Sequence, residues 1–387
     1  MAIKGNNSHR EMRFLSIQKV LKALQNGAKS KNDILASTGL SWGSCSTIIN
    51  LFNEKQILTH TLDKETEGRG RKTRNYFFSK KKFLLYGMEP RADEILCSIA
   101  TFGKEEIFRK TYPLKNALSV ENIHESLTAT YVSSLIDAKI KSQSILGISV
   151  ALAGGVDTKN SIWANSPRIS GIDHFDFSTV FRLLPNIKYH YIEHDIHAQA
   201  ASVLHSKKWN DKNYVFVHLG KGVSLSIFNN GVFLGHRGFA GEIGFIPYEY
   251  QGSLQQNRIV ESAISKKGII DFVNNNFGQN IKSMPEIGQD ILESEKYIQH
   301  LYKVLKFILI VITNILDPET IIIGGPSIES IKHILEEKIE KKLRKETWVG
   351  GPQNIKWYGS KDMFGAYGTL LNASKNVTSN CIRDCLL

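Results

Sequence analysis

Three apolar runs in this chain end in glycine-rich turns, and that recurrence constrains the fold more than any other feature. Ile145–Ala151 leads into Ala153-Gly154-Gly155, Tyr214–Leu219 into Gly220-Lys221-Gly222, and Thr320–Ile323 into Gly324-Gly325. A fourth run, Tyr189–Glu193, ends instead in His194-Asp195. Short runs rich in β-branched and aromatic residues, bounded by turn residues, are the signature of buried strands. Phe83–Gly87 and Ile95–Ala100 read as neighbouring strands, Leu127–Lys141 and His197–Leu204 as helices. Strands that hand over to helices through such turns describe α/β sheets, whose ligands bind at the carboxyl ends of the strands. A length of 387 residues allows two or three domains.

Charge divides the chain unevenly. Residues 1–82 hold 16 Lys/Arg against 6 Asp/Glu, a net of +10 within a total of +12. A basic first fifth on a nearly neutral body suggests a nucleic-acid-binding head on a body that binds something else. Phe14, Ile17, Leu21 and Leu24 recur at helical spacing, and Asn26-Gly27 ends that helix. Ser30 is placed to cap a second helix, and Ser41 a third with Cys45, Ile48, Ile49 and Phe52 on one side. Two short helices joined by a Gly-containing turn form the helix-turn-helix pattern. At the start of the third helix Ser41, Trp42, Ser44, Ser46 and Thr47 are candidate DNA contacts, with Ser30 beside them. Small polar side chains there let a helix sit deep in the major groove. After Thr59–Leu62, the basic tip carrying Arg69, Arg71 and Lys72 reads as a wing that touches phosphates or the minor groove. The alternative is a solvated charge run on a small helical domain.

The first residues carry no apolar core of a signal peptide. Val304–Leu316 is interrupted by Lys306 and is too short to span a bilayer, which predicts a buried helix. Cys45, Cys97, Cys381 and Cys385 form no C-x-x-C pair and read as free thiols in a reducing cytoplasm.

Between Gly231 and Phe245, Asn229-Asn230-Gly231 is a hairpin turn signal, and Gly235, Gly238, Gly241 and Gly244 surround one carboxylate, Glu242. Glycines at that density let a backbone approach a ligand, and a lone acid can accept its hydrogen bonds.

Together these features resemble the ROK family of repressors and sugar kinases: the head, Ala240-Gly-Glu-Ile-Gly244, the Asp195 strand end, Leu219-Gly-Lys-Gly222 and Ile323-Gly-Gly325. The xylose- and N-acetylglucosamine-regulator branch is the nearer likeness, because the kinases lack the head. The resemblance implies a winged helix-turn-helix over 1–80, followed by an actin-like, ribonuclease-H-like body of two α/β subdomains. These would span 81–197, completed by a C-terminal helix at 372–387, and 198–371, with a sugar in the cleft. It implies sugar contacts by Asn165, Arg168, His194, Asp195, Glu242 and Glu261. His194 stands where the family usually has Asn before the Asp, and Arg168 stands where it has Asn. Carboxylates suit a sugar because each takes charge-assisted hydrogen bonds from hydroxyls. Asp195 could instead be a helix N-cap, and Glu261 a surface helix residue.

Two departures from the family bear on function. Many members follow E-I-G with a His and a cysteine run that binds zinc. Here Phe245 replaces the His and no Cys occurs from Phe245 to Glu261, so a tetrahedral zinc site of that type is not expected. Packing by Phe245, Ile246 and Tyr248 would have to order this segment. The kinases also open the body with a D-x-G phosphate loop. In its place stands Tyr86-Gly-Met-Glu-Pro-Arg91, where glycines are depleted and Pro90 removes a donor.

The expectation is a sugar-responsive transcriptional regulator, a cytoplasmic repressor binding operator DNA as a homodimer or tetramer. No metal, cofactor or catalysis is expected, with Asp195 the base were the protein a kinase. The alternatives are a sugar kinase with a DNA-binding head, and a DNA-binding protein whose cleft is vestigial. Lys221, with Arg168 or Arg237, could accommodate an anionic group such as a sugar phosphate, or Lys221 could point to solvent.

Overall fold

The computed structural model describes residues 3–62, 73–206, 213–232, 235–236, 238–249, 258–327, 332, 335–336, 354–359 and 363–387. The chain divides into two compact units, one of Met1–Ala198 with Gly365–Leu387 and one of Gln199–Phe364. Arg69, Arg71, Lys72 and Arg237 lie outside the described residues.

The first unit begins with helices α1 (Ile3–Gln25), α2 (Lys31–Thr38) and α3 (Trp42–Glu54). Their limits follow from local chemistry. Ser30 and Asp33 form a reciprocal capping box that starts α2, and Gly39, at φ +66°, ends it in the left-handed region where a side chain would be strained. Ser41 caps α3 by accepting from the Ser44 N–H. Ile17, Leu21, Ile34, Cys45, Ile49 and Phe52 pack inward from the three helices. Strands β1 (Leu58–Leu62) and β2 (Arg74–Phe78) close this layer as an antiparallel hairpin, Leu58 opposite Phe78.

The head is fastened to the segment around Phe102. Gln25 Nε2 donates to the Phe102 carbonyl at 3.1 Å. Phe78 and Phe83 each meet Phe102 edge-on, at 6.4 and 6.3 Å, and Gly103 leaves the Phe78 ring its space. Strands β3 (Leu84–Pro90), β4 (Glu94–Ala100) and β5 (Glu106–Pro113), helix α4 (Ile123–Ala138), and strand β6 (Ile145–Leu152) come next. A small sheet of β7 (Val156–Asp157), β8 (Ile162–Asn165) and β9 (Asp173–Asp176) leads through the short helix α5 (Ser178–Phe181) to β10 (Tyr189–His194) and helix α6 (Asp195–Ser206). The main sheet runs β10-β6-β3-β4-β5, parallel across its first three strands and antiparallel beyond. The segment 86–91 is therefore strand as far as Pro90, paired with β4, rather than an open loop. A C-terminal helix, Gly365–Cys381, lies across β3 and β6 and ends in a π-helical turn, Ile382–Leu386.

The second unit is built on strands β11 (Asn213–Leu219) and β12 (Val223–Asn229), a two-stranded ribbon of β13 (Pro247–Glu249) and β14 (Arg258–Ile259), and helices α7 (Val260–Ile264), α8 (Lys266–Phe277), α9 (Gln289–Leu292) and α10 (Glu295–Leu316). Strands β15 (Thr320–Gly324) and β16 (Asn354–Tyr358) complete a sheet ordered β12-β11-β15-β16. Helix α10 is long and apolar enough, by length and composition, to cross a membrane. It packs instead against its own unit, burying Leu301, Val304, Leu305, Ile308, Leu309 and Ile312 over Val215, Val217, Ile321 and Ile323. Each such side chain stabilises by about 1.5–3 kcal/mol.

In the first unit, a Cβ on Gly87 would run into the Ala366 carbonyl. Because that obstacle is backbone, Gly87→Ala should destabilise the protein by about 1–3 kcal/mol, read as a lowered urea midpoint for the first unit.

Candidate functional site

Strand β10 and helix α6 meet without a linker, and the junction presents a carboxylate. Asp195 is the first residue of α6, with only 8% of its surface exposed. Negative charge is favoured at a helix N-terminus, so Asp195 serves the helix as well as the site. His194 turns its Nδ1 to the same place, accepting from the Ile196 N–H at 3.2 Å and lying 3.1 Å from Asp195 Oδ1. Arg168, delivered by the turn after β8, stands 3.7 Å from the other Asp195 oxygen with its side chain 34% exposed. Asn165 is placed differently: its Oδ1 accepts from the Gly155 N–H at 3.1 Å and braces that turn.

Two titratable neighbours flank Asp195 and are not singled out by the sequence. Glu193 accepts from Asn372 Nδ2 at 2.9 Å, and its Oε1 is sealed from solvent. Burial pushes its carboxyl up to about 7, against the opposing pull of Thr369, Asn372 and His194. His197 is buried and held down to about 3, first by that burial and then by His194, while Asp195 pulls the other way. Their signal in the sequence is position alone, two residues either side of Asp195. The junction thus brings a carboxyl, an imidazole and a guanidinium around a small polar surface, a set able to bind hydroxyls or a mixed hydroxyl–anion ligand.

In the second unit Gly241 and Gly244, on either side of Glu242, answer to backbone packing. A Cβ on Gly241 would strike the Leu225 carbonyl, and one on Gly244 would come within 2.5 Å of the Val223 carbonyl. Gly241 also accepts from the Leu225 N–H at 2.8 Å. The close approach is to β12, and Glu242 is set at the start of a single 3-10 turn, Ile243–Phe245. Glu261 is not a bare surface residue: its Oε2 accepts from the Val223 N–H at 3.1 Å and lies against Gly244. The expected packing by Phe245 fails, since that ring is 62% exposed. The turn directs Ile243 inward instead, and Ile246 and Tyr248 pack on the core. At 220–222, the Gly220 carbonyl accepts from the Lys266 N–H and Lys221 is exposed. Among the described residues no group of three or more His, Cys, Asp or Glu is placed to hold a metal ion.

On the head, Ser30 and Ser41 are engaged as helix caps. Trp42 is 58% exposed at the start of α3, with Lys31 Nζ 5.5 Å from its ring centre and donating to Ser46 at 3.1 Å. Ser44 and Thr47 are exposed beside it. A cavity of about 370 Å³ lies between Ser30, Lys31, Asn32, Trp42, Arg74 and Tyr76. Lys31, Asn32 and Arg74 are additions to the sequence-based set, brought in by the hairpin's return.

A family model described as ROK family matches residues 100–374. Among solved structures, the chain is similar to a ROK family transcriptional regulator described as a homologue of the E. coli MLC protein, at 18% identity and a TM-score of 0.76, covering 95% of this chain and 98% of that one. It is similar also to a putative N-acetylmannosamine kinase from Listeria monocytogenes, at 17% and 0.61, covering 76% and 99%. A ROK family glucokinase from Streptomyces griseus, in complex with glucose and AMPPNP, matches at 16% and 0.55, covering 74% and 98%. Among curated proteins, no sequence matches the chain.

Glu193 sets a pH dependence. Its carboxyl titrates at 4.5 when unfolded and about 7 when folded, so over that window the unfolded chain binds fewer protons and native stability falls as pH rises. Glu193→Gln, neutral throughout, should remove this fall, and chemical denaturation at pH 5 and pH 8 measures it.

Proposed function

The chain belongs to the ROK family, and from that premise we propose that it is a sugar-responsive transcriptional repressor acting in the cytoplasm. In this reading residues 1–80 are a winged helix-turn-helix that reads operator DNA with Trp42, Ser44, Ser46 and Thr47, aided by Lys31 and Arg74. The wing at Arg69, Arg71 and Lys72 touches the backbone. Two copies bind a pseudo-palindrome, because one small head makes too few contacts for specific affinity at physiological salt. The body takes a monosaccharide or derivative, with Asp195, His194, Arg168, Glu242 and Glu261 as its ligands. A sugar that prefers one arrangement of the body shifts DNA affinity by a coupling of about 1–3 kcal/mol.

The observation that carries this reading is Arg91. Where the kinases cradle phosphate, Pro90 supplies no N–H and the Arg91 N–H is given to the Glu94 carbonyl at 2.8 Å. The guanidinium is shared between Glu89 at 3.0 Å and Glu94 at 2.9 Å. Phosphoryl transfer depends on positioned donors and charge at that place, and here they are engaged with the protein itself. The regulator's 95% coverage of the chain, against 74–76% by the two kinases, supports the role given to the head.

A second reading, a sugar kinase carrying a DNA-binding head, is favoured by one observation: Asp195, the base such an enzyme would use, is a buried carboxylate in the first unit. A coupled ATP-turnover assay across hexoses, pentoses and amino sugars separates the two, and turnover with any of them would overturn the repressor.

Calorimetry on the full chain should find a sugar whose affinity falls at least tenfold, and by about a hundredfold, in Asp195→Asn, since a buried charged acceptor is worth about 1.5–3 kcal/mol. Fluorescence anisotropy with duplexes selected from a random pool should show affinity that falls linearly with log salt. Trp42→Ala should weaken the selected duplex and leave binding to random duplex nearly unchanged.

A further inference from the structure

The head carries hydrogen-bond donors that its own fold leaves unused, and they meet in one cavity. Arg74 and Tyr76 stand two residues apart on β2, so their side chains share one face of the strand. Both form part of the wall of the cavity of about 370 Å³ beside the start of α2. Tyr76 is only 4% exposed, yet its hydroxyl has no hydrogen-bond partner among the described residues. Unlike the Tyr131 hydroxyl, it is not sealed from solvent either. A buried phenol ordinarily finds a partner within the protein, and here the space it opens on is the cavity. The Arg74 guanidinium also has no partner among the described residues. The facing wall is the first turn of α2. There Ser30 and Asp33 form the capping box, which leaves the Lys31 and Asn32 N–H groups without an acceptor among the described residues. The Asp33 carboxylate takes the Lys29 and Ser30 N–H groups and forms no part of the wall. The Tyr76 N–H, given to the Lys29 carbonyl at 2.8 Å, ties the two walls together.

We propose that this cavity seats one backbone phosphodiester of duplex DNA, held by the Tyr76 hydroxyl, the Arg74 guanidinium and the two open amides of α2. The seat presupposes the head's role as a DNA reader and adds a division of labour to it. A phosphate oxygen accepts from every donor named here, and the positive end of a helix favours its charge. A planar guanidinium suits it especially, since it offers two parallel N–H groups to one phosphate. Trp42, 58% exposed, stands in the same wall and leads on to the exposed Ser44 and Thr47 of α3. A DNA strand with its phosphate in the cavity therefore runs past the first turn of α3. Phosphate contacts fix register without reading sequence, whereas base edges supply specificity. The seat accordingly grips any duplex, and the start of α3 chooses among them.

The test measures the full chain by fluorescence anisotropy over a salt series, with a selected duplex and a random one. Tyr76→Phe should weaken both by about tenfold, because a hydrogen bond to a charged group is lost. Its salt slope should stay unchanged, because no charge is lost. Its thermal midpoint should not fall, since the hydroxyl makes no contact within the fold. Arg74→Gln should weaken both duplexes and lower the slope by about one per head. Uncharged methylphosphonates are then placed one per half-site, position by position. One position should cost the wild type at least tenfold more than it costs Tyr76→Phe, which marks the seated phosphate. Wild-type affinity in Tyr76→Phe, a loss confined to the selected duplex, or a scan with no such position would each overturn the seat alone. Tight binding of inorganic phosphate that leaves duplex affinity unchanged would overturn it in favour of a small anion. Failure to bind any duplex, even in dilute salt, would overturn the reading of the head along with it.

Discussion

Two contacts between backbones, where no side chain fits, hold the first unit together. The C-terminal helix crosses β3 at Gly87, against the Ala366 carbonyl, and meets the start of α6 at Gly368, against the Ala198 carbonyl. Overpacking at such points cannot relax by a rotamer change, because the obstacle is main chain. The helix therefore lies at one depth on the sheet. Its first residue, Gly365, leaves room for the Glu89 carboxylate, and Thr369 and Asn372 reach Ser149 and Glu193. The closed end of β3, the raised Glu193 and the placing of Asp195 all follow from how near this helix sits.

The strands were legible because burial on both faces writes itself as an unbroken apolar run, as in Thr320–Ile323. Helix starts were legible at Ser30 and Ser41 because capping is local chemistry with a fixed spacing. Long-range juxtapositions were not. Nothing near Arg168 announces that its guanidinium meets Asp195, and nothing near Glu261 announces that it receives the Val223 N–H. Gly241 and Gly244 make room for β12, and a glycine that admits a ligand and one that admits a neighbouring strand look alike in sequence. Phe245 misled because a single 3-10 turn chooses which side chain goes inward, and here it chose Ile243.

Departures from the family pattern cluster where charge would matter. Arg91 occupies donors and charge at the end of β3, and Arg168 brings a cation to the acid at the start of α6. Both arginine side chains are more than a third exposed, so each pair contributes modestly to stability and chiefly fixes where its partner's carboxylate points.

The head rests on a segment far away in sequence, since Arg383 covers Phe14 while Gln25 and Phe78 hold the Phe102 region. Synthesis runs from one end, and domains ordinarily fold as they emerge. Here the three N-terminal helices emerge early, yet Phe14 meets Arg383 only once residues 365–387 have been made. A chain cut before those residues would carry the basic helices without this contact, so the state of one end of the first unit is felt at its other end.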